Sequence, residues 1–429
     1  MSRIPRPEVD LPRPQPLGGV DKRRLRAAAA ALTALTALAA TGLVAGPAAA
    51  AAPYAGPCAL ERTAAHHSEG LDSWHSGYPR PTKPLNAVMV FLSFPDWEPT
   101  TTPEELTADY FPATSRFFER ASYGKFRLVP HPQREWIEMP HDSTSYAIKR
   151  DWNAAHRSAY LRDALKVADA HTDFSKYDVV YFVADPEAPG VDSDATKVVN
   201  FDRPMRADGT DIRRIVTVFE QHPPDRNVLA HETGHVFDLP DLYHRPADGE
   251  GDWDTYVGDW DVMGSQFGLA PDFFGWHKWK LGWLEPRQVA CVTRAGDTRL
   301  TLEPLSTARR SAGAPFGAGG GTKLAVVRTG PSSAIALEAR GGGGNDDATC
   351  TQGVLAYRVR NDSSSGGGPV QVIDSHPFTE ACYGDSVYPP LADAPIQAGE
   401  SFTVPGEKVR VEVEDRTASG AWTVKVTTG

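Results

Sequence analysis

The sequence has fewer basic than acidic residues, and it has no long apolar run after residue 52. Its 429 residues include 44 lysines and arginines against 55 aspartates and glutamates, a net charge of −11. An acidic chain lacks the positive surface by which proteins hold nucleic acid, so we expect no nucleic-acid partner. No apolar run after the N-terminus reaches the length that crosses a bilayer. Hydrophobic residues make up 41% of the chain and charged residues 23%, as in an ordinary globular protein.

The first 52 residues have the order of a secretory signal peptide. Four basic residues precede an alanine- and leucine-rich run over 27–45, and a string of alanines follows. This succession of charged, apolar and small residues predicts cleavage near Ala50–Ala52 and a secreted, extracellular protein without a stable membrane anchor. An uncleaved N-terminal anchor is the alternative. Without residues 1–52, 37 basic and 52 acidic residues remain, a net charge of −15.

The chain has only four cysteines, Cys58, Cys291, Cys350 and Cys382. An even number in an exported chain indicates two disulfides, and four cysteines allow three pairings. We favour Cys350 with Cys382, because both lie in one strand-rich region. Cys58 would then pair with Cys291 and tie the start of the exported chain to its middle.

The first two thirds of the chain alternate between strand and helix signals. Three apolar runs predict buried strands, at 86–94, 177–184 and 212–219. Helix signals begin at Thr102 and at Pro112, and they also cover about 151–171 and 228–237. Strands that alternate with helices indicate an α/β layer structure.

Beyond Trp283 the pattern changes to short alternating runs separated by glycine-rich breaks. Regularly spaced short strands with turn signals predict a β-sandwich-like domain. We interpret the glycine runs as flexible loops. The exported chain is therefore divided into an N-terminal extension (53–84), a main domain (85–285) and a β-rich C-terminal domain (286–429).

The stretch HETGHVFDLPDLY, residues 231–243, carries the clearest chemistry. His231 and His235 are four residues apart, so on a helix both imidazoles project from one face and can share a metal ion. Glu232 lies beside the first histidine, where a carboxylate can take a proton from metal-activated water. A catalytic zinc site takes three ligands from the protein, so a third ligand is needed.

Asp241 is the nearest candidate for the third ligand. If the helix ends near Phe237, the chain must reverse through one left-handed residue, a conformation that Asp tolerates better than most residues other than glycine. We therefore interpret Asp238 as the turn residue, expect Asp238→Gly to be neutral or mildly stabilising, and predict the Asp241 carboxylate as the ligand. The alternative third ligands are the acids of the following loop, which could instead bind structural calcium: Glu250, Asp252, Asp254, Asp259 and Asp261.

The segment Trp260-Asp261-Val262-Met263-Gly264 places one of the chain's five methionines in a tight turn after these ligands. In one large clan of zinc proteases a Met-turn of this kind forms an apolar floor beneath the metal. The alternative interpretation of Met263 is a core methionine in a loop.

With these residues the chain resembles the immune inhibitor A-type secreted metalloproteases, which are metzincin-like. The resemblance runs from about residue 85 to the end, is most specific around the metal site, and rests mainly on NAVMVFLSF, TPEEL, SYGKFRL, DFSKYDVVYFV, HETGHVFDLPDLY, WDVMG and FFGWHKWKLGWLEP. It implies an α+β or α/β metzincin-like zinc protease domain followed by an all-β sandwich-like domain, with Asp241 as the third ligand. The chain departs from the family pattern at Asp238, where glycine is usual, and in having no long propeptide.

The predicted function is that of a secreted zinc endopeptidase acting on protein or peptide substrates, with Glu232 as the general base. A non-catalytic exported binding protein on a protease scaffold is one alternative, although binding alone has no need of the base. A zinc hydrolase of another bond, an ester or a cell-wall amide, is the second alternative.

Other residues near these motifs have two interpretations each. Tyr243 and His244 follow the ligand loop and are candidates for stabilising an oxyanion, or they simply pack. Cys58 could cap the zinc as a thiolate, but a structural disulfide is the favoured interpretation. His66 and His67 could bind a second metal, but surface histidines in a loop are the stronger expectation.

Overall fold

The computed structural model of the protein describes residues 56–246, 249–307 and 320–429. The predicted signal peptide, residues 1–52, lies outside the described residues. Within the described ranges, no helix has both the length and the apolar character needed to pass through a membrane.

The region before residue 286 contains five strands and six α-helices among its described residues. The strands are β1 (Leu85–Ser93), β2 (Leu128–Glu138), β3 (Val179–Ala184), β4 (Lys197–Ala207) and β5 (Thr210–Val218). The helices are α1 (Pro103–Tyr110), α2 (Ala113–Ala121), α3 (Ser143–Tyr146), α4 (Ala154–Ala168), α5 (Val228–Val236) and α6 (Gly275–Lys280).

These five strands form one mixed sheet in the order β2-β1-β3-β5-β4. Strand β1 runs parallel to β2 and β3, β3 runs parallel to β5, and β4 is antiparallel to β5. Alternate residues of β1 belong to two different hydrophobic clusters, so both faces of the strand are buried. This explains its continuous apolar sequence. The three predicted strands are β1, β3 and β5, whereas the edge strands β2 and β4 were not predicted.

The predicted start of α1 is confirmed in detail. The Thr102 side chain accepts a hydrogen bond from the Glu105 backbone N–H at 3.2 Å, and the Glu105 carboxylate accepts one from the Thr102 N–H at 2.9 Å. Pro103 occupies the first helical position, where its missing N–H costs no helical hydrogen bond.

The region after residue 285 contains nine strands and one short α-helix among its described residues. They are β6 (Val289–Cys291), β7 (Gly296–Leu302), β8 (Leu324–Arg328), β9 (Ser333–Arg340), β10 (Gly353–Arg360), β11 (Val370–Val372), α7 (Pro389–Ala392), β12 (Ser401–Thr403), β13 (Val409–Arg416) and β14 (Trp422–Thr428). They form two sheets, in the orders β11-β10-β9-β8-β6 and β12-β13-β14-β7. One hydrophobic cluster joins side chains of both sheets, as a sandwich-like packing requires.

The five-stranded sheet has a second buried face. Its Val326 and Tyr357 side chains belong to the same hydrophobic cluster as Phe274 and Trp276 of the preceding region. The rings of Phe274 and Tyr357 lie 4.4 Å apart. The described residues from Gly56 to Gly429 accordingly group as one compact unit. The boundary at 285/286 and the metzincin-like assignment stay predictions.

One of the two predicted disulfides is present. Cys350 and Cys382 are joined, with a Cα–Cα distance of 5.8 Å, as predicted. Cys58 and Cys291 are free thiols, contrary to the prediction, but their side chains are hydrogen-bonded to each other. The predicted partners are therefore neighbours without the covalent bond.

Candidate metal centre

Helix α5 is buried, and its His231 and His235 side chains line the floor of a cleft. All nine residues of the helix are buried. Gly234, between the two histidines, lies against Met263: a Cβ at this glycine would come within 2.3 Å of the Met263 sulfur. Because only glycine leaves room for the methionine, the helix and the predicted Met-turn pack directly together, and Met263 is fully buried.

The two imidazoles and the Asp241 carboxylate converge on one point. His235 Nε2 lies 3.0 Å and His231 Nε2 lies 3.4 Å from Asp241 Oδ1. One ligand atom from each residue lies within 4.8 Å of the other two. Among the described residues, this is the only group of at least three His, Cys, Asp or Glu side chains arranged in this way.

Backbone carbonyls hold both imidazoles in the orientation that a metal ligand needs. His231 Nδ1 lies 2.8 Å from the Val262 carbonyl oxygen, and His235 Nδ1 lies 2.8 Å from the Leu239 carbonyl oxygen. Each Nδ1 therefore donates its proton away from the centre, so Nε2 is the nitrogen of each ring that would bind a metal ion.

The chain reverses after α5 as predicted. Asp238 has φ +65°, in the left-handed region, and the Leu239 N–H donates to the Gly234 carbonyl at 3.1 Å. This turn returns Asp241 to the two histidines. The interpretation of Asp238 as the turn residue is confirmed.

Asp241 is oriented from the β-rich region by a residue that the sequence analysis missed. The Ser365 hydroxyl donates to Asp241 Oδ2 at 2.8 Å and accepts from the Asp241 N–H at 2.8 Å. The Gly366 N–H donates to the Asp241 carbonyl at 3.0 Å. Part of the Ser/Gly-rich segment interpreted as a flexible loop therefore supports the third predicted ligand.

The charges of the three side chains compensate one another. Burial disfavours the charged form of His235, but the Asp241 carboxylate outweighs it and raises the pKa of His235 to about 9. Burial would likewise raise the pKa of Asp241, yet the two imidazoles hold that pKa well below its usual range. Two imidazole nitrogens and a carboxylate oxygen are the donors that zinc takes in catalytic sites.

Glu232 lies beside this group and is not part of it. Its Oε2 accepts a hydrogen bond from the Val198 N–H of β4 at 2.7 Å. Burial raises the pKa of Glu232, although the adjacent histidines lower it in part. A buried carboxylate with a raised pKa, held next to a metal group, has the properties of a general base.

None of the acids proposed as alternative ligands belongs to the metal group of the described residues, and two of them have other partners. Asp261 accepts hydrogen bonds from the Met263 and Phe274 N–H groups, each at 2.8 Å, and lies 3.0 Å from His277 Nδ1. Asp259 accepts from the Leu269 N–H at 3.1 Å. Neither belongs to the metal group, so Asp241 fits the third ligand position better. A calcium site in this loop stays a prediction, without a matching cluster of acids in the described residues.

Tyr243 and His244 differ in their relation to the cleft. Tyr243 lines the cleft, and its hydroxyl is hydrogen-bonded to Asp241. The His244 ring packs against Tyr256 at 4.9 Å between centroids, and His244 is not among the described residues lining the cleft. The geometry therefore favours Tyr243 over His244 as a group that could contact a reacting carbonyl.

The N-terminal segment, residues 56–84, contacts Asp238, the residue at which the chain turns back toward the two histidines. Arg62 forms an ion pair with Asp238, and His67 Nδ1 lies 3.0 Å from Asp238 Oδ1. The His67 ring stacks on His235, with centroids 5.7 Å apart. The surface interpretation of His67 is therefore wrong, because this side chain is buried. His66 is exposed and lines the cleft, and neither histidine belongs to a group of three or more possible metal ligands among the described residues.

A second buried contact joins the N-terminal segment to the Met-turn. Glu69 Oε1 lies 2.8 Å from His277 Nε2, and Asp261 Oδ2 lies 3.0 Å from the other nitrogen of that ring. The Lys280 ammonium donates to the Asp238 carbonyl at 2.7 Å and lies 3.7 Å from Glu69 Oε2. The turn after α5 and the Met-turn, whose carbonyls orient the ligand histidines, are thus joined by one buried network of charges.

Cys58 lies away from the cleft. Its thiol is buried, lies 3.4 Å from the Val326 carbonyl oxygen and contacts Cys291. It is not among the described residues that line the cleft. The hypothesis that Cys58 caps the metal therefore finds no support in this geometry.

Comparison with known proteins gives little beyond this geometry. No protein-family profile matches the sequence, and no curated protein is detectably similar to it. Among solved structures, a crystal structure of wild-type OgpA from Akkermansia muciniphila is 11% identical and covers 71% of this chain and 95% of its own, with a TM-score of 0.27. A second crystal form is 10% identical, with coverages of 71% and 94% and a TM-score of 0.25. A likeness this weak carries no argument about fold or activity.

Proposed function

We propose that the protein is an exported zinc-dependent endopeptidase. The observation that carries the proposal is the convergence of His231, His235 and Asp241 beside the buried carboxylate of Glu232. Three protein ligands of this kind leave one coordination position open, which is the arrangement of catalytic rather than structural zinc sites.

The residues fit zinc by the chemistry of their donors. Both Nε2 atoms and one carboxylate oxygen face a common point, and the imidazole orientations are fixed by carbonyls. When bound, zinc would polarise the scissile carbonyl and lower the pKa of a water molecule.

Glu232 then performs the proton transfers. Its carboxylate would accept a proton from the attacking water and pass it to the departing amine. The Val198 N–H holds this carboxylate in place from β4. The Tyr243 hydroxyl, at the edge of the same cleft, would support the carbonyl oxygen as it gains charge.

The position of β4 supports a peptide substrate. It is the edge strand of the sheet, and it passes directly beside Glu232. An extended peptide could add to the free side of this strand through backbone hydrogen bonds. Export is supported by the N-terminal sequence pattern and by the Cys350–Cys382 disulfide, because such bonds persist in oxidising compartments.

The test is zinc stoichiometry of the purified exported protein together with digestion of unfolded casein, with and without a chelator. The proposal expects about one zinc per chain and casein cleavage that chelation abolishes and zinc restores. Bound zinc without cleavage of casein, esters or cell-wall amides would favour the binding protein. Cleavage of esters or cell-wall amides alone would favour the other hydrolase.

A further inference from the structure

The cleft in front of the metal centre has a concentration of positive charge. Its volume is about 720 Å³. Apart from the residues of the metal centre, its wall carries four side chains that bear a positive charge at neutral pH, and we call them the basic wall: Arg150, Arg157, Lys197 and Arg245. Among the other described residues of the cleft only Asp151 and Asp194 are acidic, although the chain as a whole has a net charge of −11.

An aromatic ring and one weak ion pair organise the outer part of the basic wall. The Arg150 guanidinium lies 4.7 Å and the Arg245 guanidinium 5.9 Å from the centroid of the Trp253 ring. Arg245 also lies 3.5 Å from Asp151, but both side chains are largely exposed, at 59% and 86%. An exposed pair of this kind contributes little and leaves Arg245 available to another anion.

The inner part of the basic wall, Lys197 and Arg157, forms no ion pair with a carboxylate of the described residues. The Lys197 ammonium donates to the Arg150 carbonyl oxygen at 2.6 Å. The Arg157 guanidinium makes no ion pair or hydrogen bond with another residue of the described ranges. Burial and the charge of Arg157 lower the pKa of Lys197, although the carboxylates of Glu232 and Asp151 raise it in part.

The basic wall lies directly beside the catalytic carboxylate. Lys197 is the first residue of β4, and its neighbour Val198 donates to Glu232. A peptide extended along this strand edge would pass Lys197 and Arg157 within a few residues of the bond to be cleaved.

We propose that the basic wall is a subsite for a carboxylate side chain of the substrate close to the scissile bond. Guanidinium groups bind carboxylates through paired, charge-assisted hydrogen bonds. The inference rests on the proposed endopeptidase function and adds a substrate class to it: peptides with Asp or Glu on one side of the cleaved bond.

The test uses fluorogenic peptides with one shared central sequence and five types of flank. The flanks, placed on either side in turn, are Glu, Gln, Lys, phosphoserine and serine. We expect kcat/KM for the better Glu-flanked peptide to exceed that for its Gln counterpart about tenfold at low salt. The advantage should shrink as ionic strength rises, because salt screens exposed charges.

Charge reversal at Arg157 assigns the preference to the basic wall. Arg157→Glu should remove the advantage of the Glu flank over the Gln flank. Arg162→Glu is the matched control, because it makes the same change on the same helix α4, at an exposed residue that does not line the cleft. It should leave the preference intact.

The outcomes separate this inference from the proposed function. Equal kcat/KM for the Glu, Gln and Lys flanks, or equal effects of the two arginine variants, overturns the subsite while casein cleavage still supports the endopeptidase. A phosphoserine advantage over serine without any Glu advantage over Gln overturns the carboxylate as the ligand. Failure to cleave casein or any peptide contradicts the proposed function itself.

Discussion

Two segments build the metal centre in different ways. The ligand segment, residues 228–243, is a short helix and a turn whose side chains face the cleft. The N-terminal segment, residues 56–84, is described without any helix or strand, and it is held by side-chain contacts with residues far along the chain. The first supplies the ligands and the base, and the second supports the turns that orient them.

The difference predicts which property a substitution in each segment changes first. A change in the ligand segment removes a donor or a proton acceptor and should leave the buried framework intact. A change that breaks a contact with the N-terminal segment leaves a buried charge without its partner, so it should reduce folding stability first. Substitutions on the two sides can therefore test whether the division of roles is real.

The largest effect is expected at Asp241, within the ligand segment. Asp241→Ala leaves two histidines, so zinc should be lost on dialysis and casein cleavage should fall below detection. Asp241→His should retain zinc better, because imidazole restores a third donor. Asp254→Ala is the control and should keep full zinc. Zinc measured in each purified variant decides the point, and full zinc in Asp241→Ala would remove it from the ligand set.

Glu232→Gln should separate binding from turnover. It keeps the shape of the side chain and removes the proton acceptor, so zinc content should be unchanged while kcat falls on the order of 100-fold or more. Glu220→Gln provides a control at another buried carboxylate, one that accepts from the Asp225 N–H at 3.3 Å. Activity of Glu232→Gln within a few-fold of the wild type contradicts the role of general base.

Asp238→Gly has two opposite effects, one on the turn and one on the contact with the N-terminal segment. The sequence alone predicts a neutral or mildly stabilising change, because glycine relieves the strain of a left-handed residue, a gain of roughly 1 kcal/mol. The structure adds that Arg62 and His67 would lose a buried partner. Breaking such a buried pair typically costs about 3–5 kcal/mol, so we now expect net destabilisation of roughly 2–4 kcal/mol.

Urea unfolding of the chelated protein measures this change without the contribution of the metal. Ala147→Gly is the matched control, since Ala147 has φ +48° and has no side-chain charge to lose. The control should be neutral or slightly stabilised. If Asp238→Gly behaves like the control, the contact with the N-terminal segment has no energetic weight.

The sequence was most informative where neighbouring residues carry the signal. The spacing of His231 and His235, the left-handed Asp238 and the cap at Thr102 all depend on residues a few positions apart. The buried runs of β1, β3 and β5 were also visible, because both faces of such strands are apolar.

Long-range partners and edge strands were not predictable from the sequence. Strands β2 and β4 lie at the edges of the sheet and contain proline and charged residues, which blunt an edge but hide its strand pattern. Ser365 meets Asp241 across 124 residues, and Glu69 meets His277 across 208. No local periodicity marks such pairs, so the residues that support the metal centre could be identified only from the folded structure.

His277 offers the most selective test of these supporting residues. Its ring is buried between the carboxylates of Glu69 and Asp261. Burial disfavours its charged form, but the two carboxylates outweigh this and raise the pKa of His277 to about 9. Because the folded pKa lies above the unfolded value of about 6.5, the stabilisation is complete below pH 6.5 and is lost as the pH rises through about 9.

The shift corresponds to about 3 kcal/mol, at 1.36 kcal/mol for each pKa unit. In the presence of a chelator, the free energy of unfolding should therefore fall between pH 6 and pH 9.5 by about that amount more in the wild type than in His277→Gln. The variant should be less stable at pH 6, and its stability should change less with pH because its amide does not titrate. Parallel pH profiles for the two proteins would mean that the contact between the N-terminal segment and the Met-turn does not depend on a charged histidine.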